Sequence, residues 1–462
     1  MADSDQPPSK NRRISSDENG IDLISDLPDS VLGHIMSFLP TEDALTTSIL
    51  SKRWVDLWAQ VPAFVFDSPH RYPAIDRHNE SSFVYFVCKV MLISQAQSIS
   101  KFTFDRNFDL EFDVDYLRTW ISNAVGRNVQ DLSLNFRCPQ PHINLPDCLF
   151  ACKTLVSLKL ENKIFVDVPA TGVNFPCLKI LQLMAVKYAN DDSMRRVLSG
   201  CPVLEDLTVE RLCGDNLFVL EVNVISLKRI TVKRRSAHYI PWNDPPYKLL
   251  ISAPMLERIV LKDENYRYFL LEDGYNLAEA VVEISNPLAD GRNLCDLLEV
   301  FADVRSLSLF HNTIWFNFPS EVKFPVLTNL VQLDIECACK FWLRLLALLE
   351  CSDNLKILVF RNVRVHSSRR KCDQALVETV PKCVSMSLVT LHFKQVYNCE
   401  CDWKLVKYFL KNAKFLKQVK IGISFRLKKR RHLLRKLLKY PRASMACEIA
   451  FFFASTNEEI RL

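Results

Sequence analysis

One short arrangement of apolar positions recurs along most of this chain. An apolar residue is followed by two variable residues, an apolar residue, a variable residue and a third apolar residue. The arrangement begins at thirteen positions: Ile99, Val129, Leu155, Leu178, Leu204, Leu227, Leu256, Leu277, Val304, Leu330, Leu355, Leu388 and Leu416. Successive starts lie 21 to 33 residues apart, so the chain is organised as a long series of similar units.

Each unit predicts a short strand, because alternate apolar side chains enter a core while the residues between them face outward. The segments between strands predict helical or irregular returns. One of them carries Met194, Val197 and Leu198 on a helical stripe that Gly200 ends. A period near 20 to 29 residues is typical of leucine-rich repeats. The predicted fold class is therefore α/β, with parallel strands stacked into a curved solenoid.

The outward strand positions of such a solenoid line its concave surface, which suits the binding of another macromolecule. These positions include Thr103, Ser133, Lys159, Gln182, Thr208, Thr231, Ser308, Asp334 and His392. They mix small, polar and charged side chains, so they indicate no ligand class. Taken singly, each is better explained as an ordinary solvated strand residue.

The segment from Asp22 to Trp58 has a different pattern, typical of three short helices. Pro28 suits the first turn of a helix, and Pro40 ends that helix. Thr41 and Ser51 are suitable caps for the second and third helices. The first helix carries one apolar stripe of Leu32, Ile35, Met36 and Leu39, and the third carries Trp54 and Trp58 four residues apart.

Three helices in fewer than forty residues bury too little of these large side chains by themselves. Either the repeat body or a partner protein must cover the remainder.

At the other end of the chain, the segment from Pro381 predicts strand, helix, strand, helix and strand. The first helix of this C-terminal segment has a stripe of Leu405, Tyr408, Phe409 and Ala413. The final strand runs from Cys447 to Phe453.

Composition narrows the possible chemistry. The 9 glycines lie too far apart for a dinucleotide or phosphate-binding loop, and no HExxH or CxxC motif occurs among the histidines and 16 cysteines. The CxC pairs Cys337/Cys339 and Cys399/Cys401 could hold a metal, but buried reduced thiols are the simpler interpretation. We therefore expect no catalytic residue, no metal and no cofactor. The absence of a long apolar run or signal core predicts a nuclear or cytoplasmic protein that is not secreted and does not enter a membrane.

The net charge of +6 conceals an uneven distribution. Between Lys404 and Arg442 there are 15 Lys and Arg and no Asp or Glu, so the rest of the chain carries 6 minus 15, or −9. The run Lys428, Lys429, Arg430 and Arg431 is the centre of this region and is compatible with nuclear import, an anion contact or a solvated helix face. Aromatic residues do not alternate with these charges, which disfavours single-stranded nucleic acid.

The stretch LPDSVLGHIMSFLP followed by TSILSKRWVDLW resembles the F-box of the plant F-box and leucine-rich repeat proteins. This resemblance implies docking on a Skp-type adaptor, and through it on cullin and RING subunits of a ubiquitin ligase. The implied adaptor-binding residues are Leu27, Pro28, Leu32, Ile35, Phe38 and Leu39. Trp54 and Trp58 would pack the third helix.

KYFLKNAKFLKQVKI and LLKYPRAS resemble the FBD region that follows the repeats in the same plant family. The expected organisation is a disordered tail at 1–20, an F-box at 21–67, a solenoid at 68–380 and an FBD region at 381–462 that continues and caps it. The implied function is a non-catalytic receptor that holds an unknown target protein for ubiquitination. Alternatives are a repeat protein that acts without ligase activity and a nuclear protein that contacts nucleic acid through its basic C-terminal helix.

Overall fold

The computed structural model describes residues 24, 26–67, 80–107, 113–137, 142–234, 247–262, 266–272, 276–283, 297–310, 324–336, 342–361, 379–396, 400–423, 435 and 437–453. The predicted tail at 1–20, the basic run Lys428 to Arg431 and the pair Cys337/Cys339 lie outside these ranges. Across the described residues, no helix is long and apolar enough to cross a membrane. Within the same ranges, no group of three or more His, Cys, Asp or Glu is arranged to hold a metal ion.

Parallel strands dominate the fold. The strands are β1 (Ala63–Asp67), β2 (Lys101–Asn107), β3 (Asp131–Arg137), β4 (Ile143–Asn144), β5 (Ser157–Asn162), β6 (Ile164–Val166), β7 (Ile180–Met184), β8 (Lys187–Tyr188), β9 (Asp206–Arg211), β10 (Val219–Asn223), β11 (Arg229–Arg234), β12 (Tyr247–Ser252), β13 (Arg258–Lys262), β14 (Tyr266–Glu272), β15 (Glu279–Glu283), β16 (Ser306–Phe310), β17 (Gln332–Ile335), β18 (Ile357–Phe360), β19 (Thr390–Val396), β20 (Gln418–Ile423) and β21 (Glu448–Phe453). Fifteen of them form one sheet in the order β1-β2-β3-β5-β7-β9-β11-β13-β15-β16-β17-β18-β19-β20-β21. Every pair of neighbours is parallel, which confirms the predicted α/β solenoid.

The apolar pattern predicted this sheet closely. Each of the thirteen starts lies two residues before a strand of the main sheet, as Leu204 does before β9 and Leu355 before β18. The starting residues are all buried. The two outermost strands, β1 and β21, extend the sheet beyond the thirteen units, and β21 corresponds to the predicted final strand.

Helices cover parts of the other face. They are α1 (Asp29–Met36), α2 (Thr41–Thr46), α3 (Lys52–Leu57), α4 (Glu80–Ile93), α5 (Val114–Gly126), α6 (Asp191–Ser199), α7 (Trp342–Glu350), α8 (Lys382–Met386) and α9 (Glu400–Asn412). Among the described residues, 3-10 turns occur at Thr47–Ile49, Trp58–Gln60 and Asp147–Ala151. Helix α6 is the predicted helical return, and the Asn190 side chain caps it by accepting from Ser193 N at 3.0 Å.

Some returns are strands rather than helices. β4, β6 and β8 form one three-stranded parallel sheet, and β10, β12 and β14 form another. β12, for example, buries Tyr247, Leu249 and Ile251 on alternate positions. Continuous strand pairing in the returns keeps successive units in register without helix packing, since each backbone group finds its partner in the next unit.

One continuous core runs from the N-terminal helices to the final strand, from Leu32 to Phe451. β1 lies within the range predicted for the F-box, so the solenoid sheet begins before residue 68. At this end an aromatic cluster fills the core, with the Phe104 ring centroid 5.6 Å from Trp120 and 5.7 Å from Phe136. The small N-terminal helices therefore do not bury their side chains alone.

A buried ion pair locks the return after β9. Arg211 donates to both carboxylate oxygens of Asp215, at 2.9 and 2.7 Å, and these side chains are only 6% and 2% exposed. The Arg211 guanidinium also lies 3.8 Å from the centre of the Tyr247 ring. Leu217 N donates to Asp215 at 3.0 Å, so the carboxylate organises the backbone as well as the cation.

We expect Asp215→Asn to lower the free energy of unfolding by about 3 to 5 kcal/mol, because it leaves a buried guanidinium without its counter-ion. Asp192→Asn is the matched control, since Asp192 pairs with arginines on the exposed face of α6. The control should leave the urea midpoint of the full chain unchanged, as followed by circular dichroism. Equal midpoints for both variants would contradict the role assigned to the buried pair.

Gly422 in β20 permits a close approach of neighbouring backbone. A Cβ at this position would lie 1.9 Å from the Lys394 carbonyl oxygen, whereas a Cβ at Gly33 in α1 meets nothing within 4 Å. We expect Gly422→Ala to destabilise the chain by about 1 to 3 kcal/mol or more, because backbone must move. Gly33→Ala should instead stabilise it by roughly 0.5 to 1 kcal/mol through helix propensity. Thermal unfolding should therefore show a lower midpoint for Gly422→Ala and a higher midpoint for Gly33→Ala than for the unaltered chain.

Candidate partner-docking surface

The N-terminal helices form a compact unit around two aliphatic side chains of α1. Leu32 and Met36 are 0% and 1% exposed, and Trp54 and Trp58 complete the core at 8% and 9%. Leu32 and Met36 stand four residues apart on one helical face, which is why both point inward. The Thr47 hydroxyl donates to Met36 Sδ at 3.5 Å, so the 3-10 turn Thr47–Ile49 lies beside the end of α1.

An ion pair fixes the start of α1 against α3. Arg53 Nε donates to Asp29 Oδ1 at 2.7 Å, and another guanidinium nitrogen donates to the Leu27 carbonyl oxygen at 2.5 Å. Asp29 also occupies the first turn of α1, where the helix dipole favours a negative charge. Both ends of α1 are thus held by neighbouring elements.

The helical unit is joined to the solenoid by hydrogen bonds. The Thr41 hydroxyl accepts from Val65 N in β1 at 2.8 Å, so this predicted cap residue instead ties α2 to the sheet. The Ala59 carbonyl accepts from Gln95 N at 2.8 Å, beyond the end of α4. The unit is therefore held in one orientation on the first strands of the solenoid.

Burial raises the pKa of Glu42, the residue after Thr41, and the nearby charge of Arg106 opposes that rise.

Large apolar side chains remain exposed on this unit. Phe38 is 75% exposed, Ile49 86% and Leu50 64%. Ile35 at 45% and Val31 at 40% extend the exposed set along α1. Contiguous exposed apolar surface on a folded protein marks an interaction site. The Thr47 to Met36 hydrogen bond brings the 3-10 turn that contains Ile49 to the end of α1, two residues before Phe38.

The structure divides the six residues predicted to bind an adaptor. Pro28, Ile35 and Phe38 are exposed, while Leu27 and Leu39 are half-buried and pack against the core. The prediction for Leu32 requires correction: its side chain lies in the core beside Met36 and presents no surface to a partner.

Sequence reasoning missed Ile49 and Leu50. The sequence pattern indicated only a second helix after Thr41 and a third after Ser51, whereas α2 ends at Thr46 and a 3-10 turn follows. The change in helical geometry redirects these side chains toward solvent. Two adjacent large apolar residues just before Ser51, outside any helical stripe, were the available signal.

The predicted concave residues form a single row across the sheet. Thr103 pairs with Ser133, Ser133 with Lys159, Lys159 with Gln182 and Gln182 with Thr208. Farther along, Thr208 pairs with Thr231 and Ser308 with Asp334, and His392 pairs with Val359 on one side and Lys420 on the other. Ser308 and Asp334 are buried, at 6% and 4% exposure, and the other predicted members are half-exposed.

Comparisons with known families agree with this organisation. The F-box domain model matches residues 24–65 and the FBD model matches residues 377–421. The model described as "FBD-associated F-box protein At5g56370, LRR repeats" matches residues 117–269. The matches follow the same order along the chain as the helical unit, the solenoid and its C-terminal end.

Proteins from Arabidopsis thaliana match along nearly the whole chain. F-box/FBD/LRR-repeat protein At5g56420 is 32% identical over 93% of this chain and 99% of its own length. Putative F-box/FBD/LRR-repeat protein At4g00315 is 33% identical over 87% and 92%, and F-box/LRR-repeat protein 13 is 29% identical over 95% and 97%. The chain therefore belongs to the F-box/FBD/LRR-repeat protein family.

Proposed function

We propose that this chain is the substrate-recognition subunit of an SCF-type E3 ubiquitin ligase. In this proposal the F-box docks on a Skp-type adaptor, which connects it to cullin and RING subunits. The solenoid and FBD region bind a target protein, and other subunits transfer ubiquitin. The chain itself is a non-catalytic receptor that works in the nucleus or cytoplasm by bringing target and ligase together.

The exposed apolar surface of the helical unit supports the adaptor part of the proposal. Leu27, Pro28, Ile35, Phe38 and Leu39 remain in the docking set, and Ile49 and Leu50 join it, whereas Leu32 is assigned to the core. Burying one such apolar side chain contributes about 1.5 to 3 kcal/mol, so a few of them suffice for a stable complex.

The rigid attachment of this unit supports the receptor part. Hydrogen bonds at Thr41 and Ala59 and a shared core fix the F-box on β1 and α4. A receptor must hold its target at a defined position relative to the ligase, because ubiquitin transfer depends on proximity. A continuous sheet that begins directly after the docking unit meets this requirement without a flexible linker.

We expect Phe38→Ala and Ile49→Ala each to weaken binding to a purified Skp-type adaptor by roughly tenfold to a hundredfold, while the thermal midpoint changes little. Leu32→Ala is the matched comparison: it should lower the free energy of unfolding by about 2 to 5 kcal/mol through loss of core packing. Calorimetric titration and thermal unfolding separate the two effects. Unchanged adaptor affinity in both Phe38→Ala and Ile49→Ala would remove these residues from the docking surface.

We expect target proteins to accumulate on the receptor when degradation is blocked. Co-purification from plant cells should recover a target with a proteasome inhibitor and little without it. The Phe38→Asp variant places a charge on the docking surface and should retain the target even without inhibitor, because it is uncoupled from the ligase. Equal recovery from the unaltered chain with and without inhibitor would favour a repeat protein that acts without ligase activity.

A further inference from the structure

Charged side chains on most of the concave face occur as local pairs. Lys233 pairs with Glu210 at 2.7 Å, and Lys262 pairs with Glu283 at 2.8 Å, each across neighbouring strands. Lys159 contacts Glu161 in the same strand at 3.1 Å. Because each of these lysines already has a carboxylate partner within the protein, it attracts an external anion only weakly.

The C-terminal end of the concave face differs. Arg361 and Lys394 share a single oxygen of Asp334, at 2.9 and 3.7 Å. Lys420 on β20 is exposed, and no carboxylate among the described residues lies within salt-bridge distance of it. The acidic groups at this end of β17, Asp334 and Glu336, are buried at 4% and 6% exposure. The charge that the described residues of this end present to solvent is therefore positive.

Two contacts hold the Arg361 side chain in place. Its guanidinium carbon lies 4.2 Å from the centre of the Phe310 ring, and Nε donates to Asp334. Within the described ranges its terminal nitrogens have no hydrogen-bond acceptor, and the side chain is 45% exposed. A guanidinium fixed in this way presents a planar pair of donors that matches a carboxylate.

Two buried polar atoms at the base of this cluster lack hydrogen-bond partners. They are Asp334 Oδ1 and His392 Nε2. The His392 ring lies edge-on to Phe452 at 5.3 Å, and its row neighbour is Lys420. A buried polar atom without a partner destabilises the protein by about 1 to 3 kcal/mol, so the base of this cluster is not optimised for the stability of the free chain.

We propose that Arg361, Lys394 and Lys420 bind a short acidic segment of the target protein at the C-terminal end of the concave face. This inference deepens the proposed receptor function and rests on it. An acidic peptide fits better than a simple anion, because carboxylates on successive residues can meet Arg361, Lys394 and Lys420 in turn. β17 to β20 span three strand spacings, roughly 14 Å, which is about four residues of extended peptide.

The state of His392 agrees with this assignment. Burial lowers its pKa to about 4, and the charges of Lys394 and Lys420 add to the lowering. A bound carboxylate opposes the field of these lysines, so it should raise the His392 pKa. The pKa of His392 therefore reports whether the proposed site is occupied.

The experiment uses the full-length chain and two fluorescein-labelled peptides, one with four consecutive glutamates and one with four glutamines. At low salt, fluorescence anisotropy should show at least tenfold tighter binding of the glutamate peptide. Lys394→Gln combined with Lys420→Gln should weaken that binding at least tenfold. Lys411→Gln, on the exposed side of α9, is the matched control and should change it less than twofold. Arg361→Lys should also weaken it, because the charge remains while the planar donor pair is lost.

Nuclear magnetic resonance titration should show the His392 pKa rising when the glutamate peptide is added, with His392→Gln identifying the signal. Equal binding of the two peptides would overturn the proposal. So would loss of binding when Lys428 to Arg431 are all replaced by glutamine, or tighter binding of an RNA oligonucleotide of equal charge. Adaptor affinity of the same variants is measured in parallel, so failure of the acidic-segment site is distinguishable from failure of the receptor function.

Discussion

Stacking of leucine-type side chains between adjacent parallel strands is the interaction on which this molecule depends. Each unit presents an apolar row that no single unit can bury, and the next unit covers it. Starting residues such as Leu204, Leu227 and Leu256 are fully buried for this reason. Backbone pairing continues one residue ahead of the strands, where Lys228 N donates to the Glu205 carbonyl at 2.9 Å. The returns vary between helices and strands because the stack requires only that their apolar side chains fill the space behind the sheet.

The same requirement explains the place of the F-box helices. A stacked sheet has two open ends, and each must be covered. At the N-terminal end β1 follows the helices directly, and Leu32 and Trp58 share a core with the aromatic side chains behind β1 and β2. Residues that cover this end are buried, whereas Phe38 and Ile49 remain exposed. One set of apolar side chains in this small unit thus covers the end of the solenoid, and another set remains exposed.

The concave face is less uniform than its regular register implies. Its central row begins with half-exposed polar side chains, includes Val260 and Val281, which pack on Phe310 of the adjacent row, and ends with His392 and Lys420. Local ion pairs neutralise much of the charge, while Arg361 and Lys394 depend on one carboxylate. The charged groups on the described part of this face are therefore distributed unevenly along the sheet.

The sequence by itself determined the number and position of the repeating strands and the existence of three N-terminal helices, because apolar spacing follows directly from strand and helix geometry. The family resemblance also predicted adaptor contacts for Phe38, Ile35 and Pro28, all of which are exposed. Tertiary structure alone decided that Leu32 is core and that Ile49 and Leu50 are surface, since both outcomes depend on how the helices pack and on the 3-10 turn after Thr46. It also decided that Lys394 reaches Asp334 across β18. Contacts between strands distant in sequence have no local signature, because register and curvature are properties of the assembled sheet.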